Sequence, residues 1–224
     1  MIAGLGIPIK RRDQPATYVA PVKRRPTIAR PPVSTEAYQS EPVLDEREYE
    51  HILSVSRSMC LVIERNPHSF ASLGEEAIRD HFLIQLNGHY EGSATGETFN
   101  AAGKTDILIR VDDRNVFIGE CKIWRGAKQF DEAVEQLLTY LTWRDCKCAL
   151  LVFNRNRDSS AVVQKMHKVM EARKEWRRTG SQPANSEARY ILVKNDDPGR
   201  EIIVTTQLFD VPRGASQIDD DMNT

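Results

Sequence analysis

The stretch TDILIRVDDRNVFIGECKIW, residues 105–124, decides how the chain is read. Two apolar runs flank a polar turn, the pattern of a hairpin laid into a core. Asp106, Glu120 and Lys122 nevertheless stand inside those runs. An ionised group there is costly unless it is paired or bound to a cation. Strand alternation puts Glu120 and Lys122 on one face. Pairing 106 with 120, 108 with 118 and 110 with 116, around a turn centred on Asp113, would bring Asp106 opposite Glu120. A slip of one residue would separate the two carboxylates.

Helical and strand patterns lie to either side. DEREYEHILSVSRSMCLVIERN begins acidic and carries Ile52, Val55, Met59, Val62 and Ile63 at helical spacing, ending near Asn66-Pro67. SLGEEAIRDHFLIQLN predicts a second helix, with Ser72 as N-cap and Gly88 as stop. Residues 90–100 read as a short strand with turn residues. GAKQFDEAVEQLLTYLTW is a strongly amphipathic helix, and CALLVFN (148–154) is a continuous apolar strand of the kind covered on both faces. A basic helix is expected over 159–178, then strands ARYILVK and EIIVTTQLF around the NDDPG turn. The order predicts an α/β fold with a mixed sheet and helices on its faces.

Residues 1–44 differ in kind. They hold seven of the eleven prolines and two KRR runs, and residues 1–35 carry seven basic residues against one Asp, a local net charge of +6. This composition predicts an arm or linker without a core of its own, followed by a domain over 45–212 and a frayed tail over 213–224. Two uses of the arm stand open, a passive linker or an electrostatic contact with phosphate or a partner. The whole chain of 224 residues has a net charge of −1, so no global attraction to nucleic acid is expected. No apolar run has membrane-spanning length and no signal peptide is visible, which points to a cytoplasmic protein with no membrane partner. Cys60, Cys121, Cys146 and Cys148 lack paired CxxC spacing and read as reduced thiols. The five histidines have no metal-ligand spacing.

Two carboxylates converging in a low-dielectric site repel each other unless a proton or a cation intervenes. Hard oxygen donors without His or Cys suit Mg²⁺, with Mn²⁺ as substitute. Lys122 could then orient or deprotonate a water, or stabilise a pentavalent phosphate. These are the parts of a phosphodiester hydrolase.

Asp106 followed by Glu120-Cys121-Lys122 resembles the PD-(D/E)XK nuclease superfamily, the restriction-endonuclease-like fold. Thr105 stands where the family name has proline. The family core is αβββαβ, and residues 72–153 have that predicted order. The resemblance implies a Mg²⁺-dependent endodeoxyribonuclease with Asp106, Glu120 and Lys122 catalytic and the main-chain carbonyl of Cys121 as a further metal ligand. It also implies an acidic group from the first core helix. Glu75 sits in the middle of the apolar face formed by Ile78, Phe82, Leu83 and Leu86. It is read either as that ligand or as a first-turn residue favoured by the helix dipole. Some members, including Mrr-like and resolvase-like nucleases, carry Gln or Tyr on the later helix. Gln129, Gln136, Tyr140 and Trp143 form a polar-aromatic stripe there. Gln136 is a candidate to steady the phosphate and Tyr140 to touch nucleic acid; a half-exposed flank is the other reading.

Lys104, Trp124, Arg125 and Lys128 are candidate DNA contacts. Arg155, Arg157, Lys165, Lys168, Arg173, Lys174, Arg177 and Arg178 form a basic stripe, read either as a solvated face or as phosphate contacts. The setting implied is defence, restriction or repair, with a homodimer or an upstream specificity partner. The rivals are an inactive nuclease fold serving as a binding or scaffold module, and a nuclease for RNA or branched DNA.

Overall fold

The computed structural model describes residues 28–29, 43–90, 94–95, 98–100, 103–111, 114–141, 147–194 and 197–211. Most of the proline-rich arm, the tail, Cys146, Trp143 and the turn around Asp113 therefore lie outside the described residues. The elements are β1 (Ile28–Ala29), β2 (Val43–Leu44), α1 (Glu46–Arg65), α2 (Pro67–Phe70), α3 (Glu75–His89), β3 (Ala94–Thr95), β4 (Thr98–Asn100), β5 (Gly103–Thr105), β6 (Ile107–Val111) and β7 (Arg114–Ile123). They continue with α4 (Ala127–Tyr140), β8 (Lys147–Asn154), α5 (Ser159–Ala172), β9 (Trp176–Thr179), β10 (Glu187–Lys194) and β11 (Asp197–Asp210).

Seven strands form one mixed sheet in the order β3-β6-β7-β8-β11-β10-β9. β8 runs parallel to both β7 and β11, and the other pairs are antiparallel. All eight residues of β8 are buried, as its unbroken apolar run requires of a central strand. Alternation divides the sheet into two cores. Ile107, Ile109, Cys121, Leu151 and Phe153 pack with α1 and α3, where the ring centroids of Phe82, Phe153 and Phe209 lie 5.5–5.8 Å apart. Leu108, Ile118, Leu150 and Val152 pack with α4 and α5 on the other face. The result is an α/β fold with helices on both faces of a mixed sheet. Among the described residues no helix is long and apolar enough to cross a membrane.

The helix boundaries follow local chemistry, with several corrections. Asp45 caps α1 by accepting from the Arg47 N–H, and the helix stops at Asn66 before Pro67, which disfavours helical geometry in the residue ahead of it. Ile52, Val55, Met59 and Ile63 are buried, but Val62, one position off the stripe, is 47% exposed. Ser72 is not the N-cap of α3: the Leu73 N–H closes a turn on Phe70 and the helix starts after Gly74, with no side-chain cap. Gly88 is helical and does not stop it. The expected helix over 159–178 is shorter, because Arg173 ends α5 and residues 176–179 become edge strand β9. Basic side chains at an edge discourage further pairing, so WRRT suits that place as well as it suits a helix face.

The hairpin register is Ile107 with Gly119, Leu108 with Ile118 and Ile109 with Phe117. The expected 108–118 pair is present, but the ladder ends at Ile107–Gly119 and Asp106 lies in a bend beyond it, so the expected 106–120 pair is not formed. The expected 110–116 pair is absent, because a register shift after Ile109 pairs Arg110 with Asn115 and tightens the turn. The bulge lies at the turn end and leaves the other end in register. Residues 90–100, expected as one short strand, hold β3 at the sheet edge and β4, which pairs with β5 in a separate hairpin.

Gly119 allows the close approach of β6 and β7. A Cβ there would lie 3.2 Å from both Ile107 Cβ and Phe117 Cε1. Gly119→Ala is therefore expected to destabilise by about 1–3 kcal/mol through overpacking, read as a lower urea midpoint. An unchanged midpoint would show that the two strands part without penalty.

Candidate active site

The site forms where β6 ends and β7 continues. Past the Ile107–Gly119 pair, two β7 amides have no strand to bond. The Cys121 N–H donates to Asp106 Oδ2 at 2.9 Å, and the Ile123 N–H donates to Glu75 Oε2 at 2.8 Å. Asp106 comes from the bend between β5 and β6, and Glu75 from the first residue of α3. Two carboxylates thus take over the ladder, and their positions are fixed by β7's backbone. In a strand the carbonyl of a residue shares the edge of its N–H, so the Cys121 carbonyl faces the same gap.

Glu120 and Lys122 leave β7 on the α4 face. Lys122 Nζ lies 3.0 Å from Glu120 Oε1 and donates to Glu75 Oε1 at 3.3 Å. Glu120 is 1% exposed, and no backbone N–H reaches its oxygens among the described residues. Its partner is the Lys122 ammonium, in a buried ion pair. Arg79, one helical turn beyond Glu75, brings its Nη1 within 3.7 Å of Asp106 Oδ1 and bonds Asp80 at 3.0 Å.

Burial pushes Glu120 up to about 7, with the Asp106 charge adding to it and Lys122 opposing it. Burial also raises Asp106, against the stabilising N–H of Cys121 and the charges of Lys122 and Arg79. Burial works against the Lys122 ammonium, but Glu120, Glu75 and Asp106 outweigh it and raise the group well above an ordinary lysine. Lys122 is therefore an ammonium at neutral pH.

The Lys122 ammonium is the cation shared by Glu75 and Glu120 in this structure. No group of three or more His, Cys, Asp or Glu side chains arranged to hold a metal is found among the described residues. The donor chemistry nevertheless fits a hard divalent ion. Glu120 offers two buried oxygens whose one cationic partner among the described residues is the Lys122 ammonium, and Asp106 and Glu75 each keep one oxygen outside the backbone bonds.

A cavity of about 480 Å³ opens beside the cluster, between the start of α3, the end of β7 and α4. Glu75, Lys122, Trp124, Arg125, Gln129 and Gln136 line it. Trp124 is buried against Phe130 with ring centroids 5.8 Å apart, and Arg125 is exposed. Gln136 donates to Tyr140 Oη, and Tyr140 is itself buried. Lys128 stands apart: it lines a different depression with Asp131 and Glu135 and pairs with Glu132 at 3.8 Å. Lys104 lies on β5 opposite Phe99, and its side chain is outside the described residues.

Sequence reading missed Arg79, whose spacing of four from Glu75 was the available signal. It placed Arg155 only in the basic stripe, whereas Arg155 lines the cavity and donates to the Leu73 carbonyl. Much of that stripe is internally paired. Arg173 is held by Asp131, Glu135 and Glu175, and Arg178 by Glu201 in a two-pronged pair at 2.6 and 2.9 Å. Cys60, Cys121 and Cys148 are buried free thiols. No family model matches the chain, and no curated protein or solved structure matches it.

Proposed function

We infer that the chain is a metal-dependent nuclease of the PD-(D/E)XK type that hydrolyses phosphodiester bonds in DNA. The observation that carries this reading is Glu120, a fully buried carboxylate set beside Asp106, with the Lys122 ammonium as its one cationic partner among the described residues. Burying an ionised carboxylate is costly even beside a cation. The order α3-β3-β6-β7-α4-β8 supports the resemblance to the αβββαβ core, with β4–β5 as an extra hairpin.

Asp106, Glu120, Glu75 and the Cys121 carbonyl would hold Mg²⁺ or Mn²⁺. Bound there, the ion would lower the pKa of a water and offset phosphate charge. The backbone amides of Cys121 and Ile123 fix Asp106 and Glu75 in position. Lys122, protonated at working pH, acts as a donor: it orients a water through the water's lone pair and stabilises charge developing on a phosphate oxygen. It is a poor proton acceptor in that state, which favours this role over general base. Gln136 offers an amide to the phosphate without adding charge.

Supercoiled plasmid and single-stranded DNA incubated with Mg²⁺, Mn²⁺ or a chelator test the reading. Cleavage should need the metal. Cleavage that persists in chelator, or none in either metal, would remove it.

One observation favours a second reading. Lys122 already provides a cation to Glu75 and Glu120, as in an ion-pair cluster that stabilises an inactive nucleic-acid-binding or scaffold module. Such a module binds DNA and has no use for Mn²⁺.

A further inference from the structure

We propose that the cavity beside Lys122 is a binding site for one unpaired nucleotide of a DNA strand, which makes single-stranded or frayed DNA the preferred substrate. The proposal rests on the nuclease reading for its position in a reaction, and on the cavity alone for its ligand. Three observations carry it.

The first is size. About 480 Å³ falls within the ~300–1,000 Å³ of sites that enclose small ligands. A base held in a duplex cannot enter such a recess without leaving its stack. The second is continuity. Glu75 and Lys122 belong both to the carboxylate cluster and to the cavity lining. A phosphate at Lys122 therefore places the neighbouring nucleotide in the cavity.

The third is chemistry. Trp124, 7% exposed and packed on Phe130, gives the cavity a rigid apolar edge. Gln129 and Gln136 lie seven residues apart on α4, about 10 Å along its axis, and present amides that both donate and accept. Arg155, anchored by the Leu73 carbonyl, faces the cavity from β8's end. The carboxylates of Glu75 and Glu132 in the same lining disfavour a free anion. They suit a neutral base that offers amino hydrogens, with its phosphates towards Lys122 and the rim at Arg125.

The test measures equilibrium binding in chelator, where no metal chemistry can occur. A labelled single-stranded DNA decamer, a blunt duplex of the same sequence, and that duplex with a four-nucleotide overhang are titrated with the full chain. The single strand and the overhang should bind about tenfold more tightly than the blunt duplex, a difference of ~1.4 kcal/mol. Gln129→Trp, at an exposed helix position, should fill the cavity mouth and bring the single strand down to duplex affinity. Equal affinity for the three DNAs, a preference untouched by Gln129→Trp in a folded variant, or tighter binding of an RNA decamer would overturn the proposal. The preference without cleavage in Mg²⁺ would keep the nucleotide site and remove the nuclease reading. Cleavage with equal binding of the three DNAs would do the reverse.

Discussion

Lys122→Ala is expected to lower metal-dependent DNA cleavage by ~10²–10⁴-fold, the range for losing a donor aimed at developing charge or a proton-transfer group. The residue is the one cation within reach of both Glu75 and Glu120 among the described residues, and it faces the cavity where a strand would lie. Its side chain is only 29% exposed, so alanine also leaves Glu120 without its ion-pair partner. Cleavage must therefore be compared below the melting temperature of both proteins. Lys122→Arg is expected to recover little, because a planar fork does not replace a compact ammonium between two carboxylates. Asp106→Asn should lose activity on the same scale while keeping its bond from the Cys121 amide, since an amide oxygen still accepts. More than a tenth of wild-type cleavage in either Lys122→Ala or Asp106→Asn would remove these groups from the chemistry.

Glu120→Gln is expected to stabilise the protein in chelator at alkaline pH and to abolish stabilisation by Mn²⁺. Glu120 is pushed up to about 7 in the fold from an ordinary 4.5. Between those values the folded state binds the proton more tightly than the unfolded chain. The stability this contributes is full below pH 4.5 and is lost as pH rises through about 7. Its size is roughly 3 kcal/mol for a shift of this magnitude. At pH 8 the wild type therefore carries a buried charge that glutamine removes, and Lys122 keeps Glu75 as a partner. The melting temperature of Glu120→Gln in chelator should be several degrees higher at pH 8 and close to wild type at pH 4.5. Mn²⁺ should raise the wild-type value by mass action and leave the variant unmoved. A variant less stable than wild type at pH 8 would mean that the Lys122 pair outweighs the burial of Glu120.

The fold was legible where the apolar period was strong. β8, β10 and β11 appeared as continuous or alternating apolar runs, and the stripes of α1 and α4 predicted their buried faces. The register near the site was legible because Ile107, Ile109 and Cys121 had to face one core while Leu108 and Ile118 faced the other. What failed was local. The bulge after Ile109 depends on turn geometry that the apolar pattern does not encode. β9 was hidden because Arg177 and Arg178 are equally acceptable on a helix face and an edge strand. Ser72 looked like a cap, but the turn closed by Phe70 and Leu73 shifts the start of α3.

At the site, the sequence placed Asp106, Glu120 and Lys122 on one face, and chemistry alone singled them out, since charge in an apolar run needs a reason. Glu75 was legible from its place in an apolar helix face. Its bond to the Ile123 amide was not, because it depends on β6 stopping short of β7's end. Arg79 offered only its spacing of four from Glu75, and Arg155 was invisible as a site residue, because an arginine on a surface-patterned segment gives no hint of what it will reach across the fold.

Titration of Mn²⁺ into the full chain, followed by calorimetry or by the ion's paramagnetic signal, tests the central claim most directly. It needs no substrate and cannot be confused by a contaminating nuclease. Binding in the wild type that is lost in Glu120→Gln and in Asp106→Asn is the predicted result. No binding to the wild type, or binding that both variants retain unchanged, would contradict the account and leave an ion-pair cluster in its place.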